Sequence, residues 1–313
     1  MASYYERLSD AALRGDEITN LPPVQPLIDG ILDLDNIGET FGKYGAGKSF
    51  LILDWGLSVA TGRNWWGHKV TQGKVLYVVG EGVTGTGPRY QAWCEYHEVS
   101  HIGDQMVWLP FAPNLLAAEE RVALLQFVQK ERPILTVLDT LARHLPGGDE
   151  NVSQVMSAMV ETLDEIRRIT GGHAHVVHHP GKAEDAGSRG HSSLPGALDT
   201  QLEVQGYRHD KVRGLVLRAE KQKNHEDGHV ISRLRLNTVG PSCVLVPEGD
   251  RHPVAVRILE YLAEHPGATT RELRALGNSA AVDRELAELM RPPAPLVTRK
   301  TAGTAHQHFL TGT

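Results

Sequence analysis

Residues 42 to 49 read Gly-Lys-Tyr-Gly-Ala-Gly-Lys-Ser, the G-x-x-x-x-G-K-[ST] spacing of a loop that holds phosphate. Gly42, Gly45 and Gly47 let the backbone curl so that N–H groups wrap a β-phosphate. Lys48 is long enough to reach the β- and γ-oxygens, and the Ser49 hydroxyl suits one position on Mg²⁺. Candidate nucleotide contacts therefore run through Gly42, Lys43, Tyr44, Gly45, Ala46, Gly47, Lys48, Ser49 and Phe50. Chemistry on a triphosphate needs further groups, and later apolar runs each end in one. Glu81 follows Val75 to Val79 and is placed to polarise an attacking water. Asp139 follows Ile134 to Leu138 and is the expected holder of the Mg²⁺ water shell. His178 and His179 follow Ala174 to Val177, and either suits hydrogen bonding to a γ-phosphate.

These residues need a scaffold that brings strand ends together. Short apolar runs at Val75 to Val79, Ile134 to Leu138 and Ala174 to Val177 read as buried parallel strands. Asn36 to Phe41, which feeds the phosphate loop, is short and polar for such a strand. Helices are expected over Phe50 to Ala60, Arg89 to His97, Glu119 to Glu131 and Val152 to Ile169, the last closed by Gly171 and Gly172. The fold class is α/β, a nucleotide-binding core with a mostly parallel sheet whose ligand sits at the carboxyl ends of the strands. Leu215 to Glu220 and Val230 to Leu236 alternate with period two about Asn224 to Gly228, which predicts a terminal β-hairpin.

A chain of 313 residues with 41% hydrophobic and 22% charged residues has enough apolar material for one large core and a small second domain. The expected division is an arm or linker over 1–30, the ATPase domain over 31–246 and a small domain over 253–313. Two cysteines, Cys94 and Cys243, are too few for a disulfide framework, which fits a reducing cytoplasm. No signal peptide and no bilayer-length apolar stretch is evident, so a soluble protein without membrane partners is expected. Net charge −6 disfavours a general polycation, leaving DNA contact to a local basic face or an assembled ring. His173, His175, His178 and His179 are crowded but lack acids or thiols in zinc spacing, and Trp65-Trp66 reads as a packing plug.

The ordered set Gly42 to Ser49, Glu81, Leu138-Asp139-Thr140-Leu141, His178-His179-Pro180-Gly181-Lys182 and Ser188-Arg189-Gly190-His191-Ser192-Ser193 resembles the RecA-like ATPases of the plasmid RepA and DnaB type. These are ring-forming replicative helicases, and similar AAA ATPases are frequent in actinobacterial phages. The resemblance covers roughly residues 27 to 240. It implies ATP and Mg²⁺ as cofactors, ATP hydrolysis between subunits, Lys48, Ser49 and Asp139 in binding roles, Glu81 as base and His178 as sensor. It also implies a basic residue supplied in trans. Glu220-Lys221-Gln222-Lys223-Asn224 looks like the Lys-Gln-Arg-Asn finger stretch of that group, with Lys223 where the pattern has arginine, and Arg189 is a second candidate.

From Pro253 the character changes. Helices are expected over Val254 to Glu264, Thr270 to Leu276 and Ala281 to Met290, then a strand pair around Ala302-Gly303, an order that looks like a winged helix-turn-helix. Its last helix would carry Asp283, Arg284, Glu285 and Glu288, more acid than a DNA reader wants, with Arg299 and Lys300 in the wing. DNA contact is expected here, against a protein-docking or subunit-packing role. The whole reads as a DNA helicase or translocase in replication: a homo-hexamer or other ring on single-stranded DNA, served by a primase or loader. Two alternatives stay open, a recombinase or helicase-loader ATPase that binds DNA without unwinding and an ATP-switched DNA-binding regulator. No base-reading residue is identifiable from the sequence.

Overall fold

Strand-forming runs and helices alternate through the first two thirds of the chain, and in the computed structural model they assemble around one large mixed sheet. The structure describes residues 4–149, 152–179, 193–209, 212–248, 253–290, 295–302 and 305–311. The chain divides into two compact units, the larger formed by the residues up to Cys94 together with Val99–Leu245.

After a short helix Tyr4–Ala11, the chain enters the folded body at Pro26–Ile28, which pairs antiparallel with Leu32–Asp33 and buries Leu27 and Ile28 completely. Among the described residues the main sheet holds nine strands: β1 (Ile37–Phe41), β2 (Val75–Val79), β3 (Met106–Leu109), β4 (Leu135–Asp139), β5 (His173–His178), β6 (Thr200–His209), β7 (Val212–Gln222), β8 (His229–Val239) and β9 (Ser242–Pro247). Their spatial order is β9-β8-β7-β6-β1-β5-β4-β2-β3. From β6 to β3 every neighbouring pair is parallel. Beyond β6 the ladder β6–β7–β8 is antiparallel.

The helices are α1 (Lys48–Thr61), α2 (Val83–His97), α3 (Ala118–Glu131), α4 (Leu141–His144), α5 (Ser153–Thr170) and α6 (Ser193–Ala197). Helix α1 buries most of its circumference, including Leu51, Ile52, Leu53, Trp55, Leu57 and Val59, as a helix apolar on all sides must. It ends on Gly62 in the left-handed region, whose N–H returns to the Ser58 and Val59 carbonyls. Helix α5 is one-sided: Met156, Met159, Leu163 and Ile166 face the core built on Leu76, Val78, Leu138 and Val176.

The sheet departs from the sequence expectation in two ways. The expected hairpin does pair, Leu234 opposite Leu215 and Arg233 opposite Val216, but as the centre of a wider antiparallel extension rather than alone. Strands β3, β6 and β9 carry no clean period-two signal, and β6 hides polar residues at buried positions, Thr200 and Gln201 among them. The short polar strand β1 lies in the middle of the sheet with every residue buried. It can do so because its polar groups are met: Glu39 by Gln201 and His178, Thr40 by His175.

The second unit contains α7 (Pro253–Glu264), α8 (Thr270–Arg274) and α9 (Ser279–Leu289), with β10 (Ala268–Thr269), β11 (Val297–Ala302) and β12 (Ala305–Leu310) in an antiparallel sheet of order β10-β12-β11. Thr269 and Glu272 form a reciprocal capping box at the start of α8. Ile258, Leu262, Leu273, Val282, Leu286 and Val297 make its core.

Candidate functional site

The phosphate loop leaves β1 at Phe41 and enters α1 at Lys48, so its curl lies at the carboxyl end of the central strand. Gly42, Gly45 and Gly47 have φ of 154°, 75° and 99°, which a side chain would resist. Gly42 has a second constraint, since a Cβ there would sit 2.2 Å from the Val204 carbonyl oxygen of β6. Glycine is therefore needed both to turn the loop and to seat it on the sheet.

Lys48 is 3% exposed, and its ammonium donates to the Gly42 carbonyl at 2.6 Å and the Lys43 carbonyl at 3.0 Å. Burial pushes its pKa down to about 8, opposed by the charges of Asp139 and Glu81. Asp139 ends strand β4 and Glu81 lies two residues beyond strand β2, and their action on Lys48 places all three groups in one electrostatic neighbourhood. Asp139 is the last residue of β4, 4% exposed, with Oδ2 accepting a 2.8 Å hydrogen bond from the Tyr77 hydroxyl. Burial raises its pKa; Tyr77, Ser49 and Lys48 work against that rise, and Glu81 adds to it. Ser49 thus lies close enough to favour the charged carboxylate, yet Oδ1 is buried without a partner of hydrogen-bond geometry. A buried carboxylate oxygen left unsatisfied beside a serine hydroxyl is what a Mg²⁺ water shell would complete, so the residues fit that ion.

Glu81 follows β2 and is held at Oε1 by the Arg143 Nε at 3.1 Å and the Thr140 hydroxyl at 3.3 Å. Its side chain is 36% exposed, open enough to meet water. Backbone pairing joins the two strand ends, the Gly80 N–H donating to the Asp139 carbonyl at 2.5 Å.

Among the histidines the structure separates neighbours. His178 is buried at the end of β5 with Nδ1 3.3 Å from Glu39 Oε2. His179, one residue on, has Nδ1 2.8 Å from Lys48 Nζ and its ring 6.0 Å from that of Tyr44. Of the two histidines it is His179, not the His178 implied by the resemblance, that contacts Lys48, because consecutive residues leave a strand end in opposite directions. Burial and the Lys48 charge push His179 toward its neutral form, leaving a nitrogen lone pair for the ammonium. His173 and His175 form a buried chain from the Asp33 carbonyl to the Thr40 hydroxyl, and burial holds both rings neutral.

Lys223 is not at the phosphate loop of its own chain. It follows Gln222, whose partner Thr200 lies opposite Gly38, at the amino end of the parallel strands, and it pairs with Asp199 at 2.7 Å. A direct role on the phosphates of its own chain is thereby excluded. Arg189, like residues 180 to 192 of the wider motif set, lies outside the described residues.

Sequence reasoning missed a cluster behind the loop. Asp54 on α1 is 3% exposed and accepts from the Trp65 indole at 2.7 Å and the Trp93 indole at 2.6 Å, the latter on α2 directly after Glu81. Burial raises its pKa to about 6 against those hydrogen bonds. Trp65 packs edge-on against Trp55 with ring centroids 5.7 Å apart, which is the plug expected of it. Only an acid at an otherwise apolar helix position signalled the cluster in the sequence.

Among the described residues no helix is long and apolar enough to cross a membrane, and no cluster of histidine, cysteine and acids is arranged to hold a metal ion. The family model described as AAA domain matches residues 4–185, more than half of the chain, which spans the phosphate loop, Glu81, Asp139 and His179. No curated protein matches the sequence.

Proposed function

The chain belongs to the AAA-domain family, and from that premise we propose that it is an ATP-hydrolysing motor that assembles as a ring and moves on single-stranded DNA in replication. The observation that carries the hydrolytic part is the convergence of Lys48, Ser49, Asp139 and Glu81 at the carboxyl ends of neighbouring strands, with Asp139 Oδ1 buried and without a hydrogen-bond partner. In the proposed reaction the loop N–H groups and Lys48 hold the β- and γ-phosphates, and Glu81, oriented by Arg143 and Thr140, takes a proton from the attacking water. Ser49 and Asp139 would hold Mg²⁺, which when bound would neutralise phosphate charge. Lys48 releases the Gly42 and Lys43 carbonyls to bind the phosphates, and His179 reports the γ-phosphate through its contact with that ammonium.

The ring and the DNA rest on the sequence resemblance to RepA- and DnaB-type ATPases. The position of Lys223, far from its own phosphate loop, suits a residue that acts on a neighbour's nucleotide. In the C-terminal unit, a winged helix-turn-helix reading gains from two pairings: Asp283 is bound by Arg274 at 2.9 and 2.7 Å, and Glu285 is 7% exposed and engaged by Arg284. Two of the three acids that count against DNA binding on α9, Asp283 and Glu285, are thereby partly neutralised. Steady-state ATP hydrolysis with and without single-stranded DNA, with Lys48→Ala as the blank, tests the proposal. Strong stimulation that the blank abolishes is expected, and a rate indifferent to single strands would remove the motor reading.

A further inference from the structure

We infer that the cleft between the phosphate loop and strands β6, β7 and β8 receives the base and ribose of the nucleotide, with Arg208 and Arg213 as its nucleoside-binding residues. This rests on the nucleotide reading of the loop and adds to it the side on which the nucleoside lies. The sheet order decides that side. Going from β1 toward β3, the strands carry His179, then Asp139, then Glu81, so the hydrolysed γ end of a triphosphate points that way. The other end of the ligand must leave the loop on the opposite side, over β6 and β7.

A cleft of about 730 Å³ opens there, bounded by Lys43 to Gly47 and by Gly206, Arg208, Arg213, Leu215 and Leu236. Its construction suits a flat heterocycle. Leu215 is opposite Gly206 and Arg213 is opposite Arg208, so period-two alternation sets these four on one face of the ladder. Gly206 lets the loop approach, since a Cβ there would lie 2.8 Å from the Ala46 Cα. Leu215, buried, props the loop, its Cδ2 3.0 Å from where a Cβ on Gly47 would be, and the half-buried Leu236 gives the cleft an apolar floor.

At the mouth, two arginines stand directly opposite each other across the strand pair, an arrangement that repels unless something lies between them. Among the described residues neither guanidinium makes an ion pair. Guanidinium planes stack on aromatic rings and donate to the acceptor edges of bases and to ribose oxygens. A base resting on Leu236, with its outer face and edge met by the arginines, satisfies both features of the cleft.

The test compares two probes on the full chain: ADP, which has a nucleoside, and inorganic tripolyphosphate, which has none. Arg208→Ala and Arg213→Ala, both at exposed positions, are expected to weaken ADP binding about tenfold each while leaving tripolyphosphate binding unchanged. Lys48→Ala is expected to weaken both probes. Unchanged ADP affinity in the arginine variants would overturn the inference, as would an equal loss on both probes, which would assign the arginines to phosphate. If Lys48→Ala leaves tripolyphosphate binding intact, the phosphate-loop reading itself falls and the inference with it.

Discussion

Replacing Asp54 with asparagine tests whether the cluster behind the phosphate loop is organised as the structure shows. The carboxylate is buried and accepts from both the Trp65 and Trp93 indoles, and its pKa is raised from 3.8 to about 6. A carboxyl group with a raised folded pKa contributes stability that is fully present below 3.8 and is lost as pH rises through about 6. At ~1.4 kcal/mol per pH unit the full span is ~3 kcal/mol, of which ~2 kcal/mol falls between pH 4.5 and 7.5. The asparagine side chain has no such titration. Its amide keeps one acceptor and presents N–H to the second indole, a loss of about 1–3 kcal/mol that does not vary with pH. The gap between wild type and D54N is therefore expected to narrow by ~2 kcal/mol from pH 4.5 to 7.5. All five tryptophans, Trp55, Trp65, Trp66, Trp93 and Trp108, lie in the nucleotide-binding unit, so urea unfolding followed by tryptophan fluorescence reports that unit alone. A gap that stays constant over that range would refute the reasoning, because it would mean that Asp54 does not titrate in the folded protein as its burial requires.

Other expectations follow from the same geometry. Lys48→Met should raise the melting temperature of the nucleotide-free protein at pH 7 while abolishing nucleotide binding; because burial lowers the lysine pKa to about 8, the thermal advantage should shrink as pH rises from 8 toward 10.5. Gly42→Ala would drive a methyl group against the Val204 carbonyl and should lower unfolding stability by about 1–3 kcal/mol, with loss of nucleotide binding by calorimetry. Tyr77→Phe removes the hydroxyl donor from Asp139 and should raise the Mg²⁺ concentration that supports half-maximal hydrolysis by about 10–100-fold, with little change in unfolding midpoint.

The parts of this molecule that speak locally were legible in the sequence. The phosphate loop is a contiguous pattern, Val75 to Val79 is a strand with the bounds its apolar run suggests, and Asp139 closes its strand as an acid after four buried residues. What stayed hidden depends on partners distant in sequence. Strand β1 looks too polar for a sheet centre until Glu39 is seen against Gln201 and His178, residues 162 and 139 positions away. Strand β6 escaped notice for the same reason, since its buried Gln201 is the other half of that contact. Which of His178 and His179 meets Lys48 depends on the way each side chain leaves the strand end, and an adjacent pair in a sequence carries no sign of that. Asp54 could be suspected only as a charge among Leu51, Ile52, Leu53 and Trp55, and its indole partners come from two separate segments.

The claim that Lys48, Ser49, Asp139 and Glu81 form one hydrolytic centre is tested most directly by the turnover of Glu81→Gln measured beside its affinity for ATP. ATP affinity close to that of the wild type and turnover reduced by at least about 10²-fold are expected, because the phosphates are held by other groups and only the activation of water is lost. Turnover within a few-fold of wild type, with ATP still bound, would contradict it.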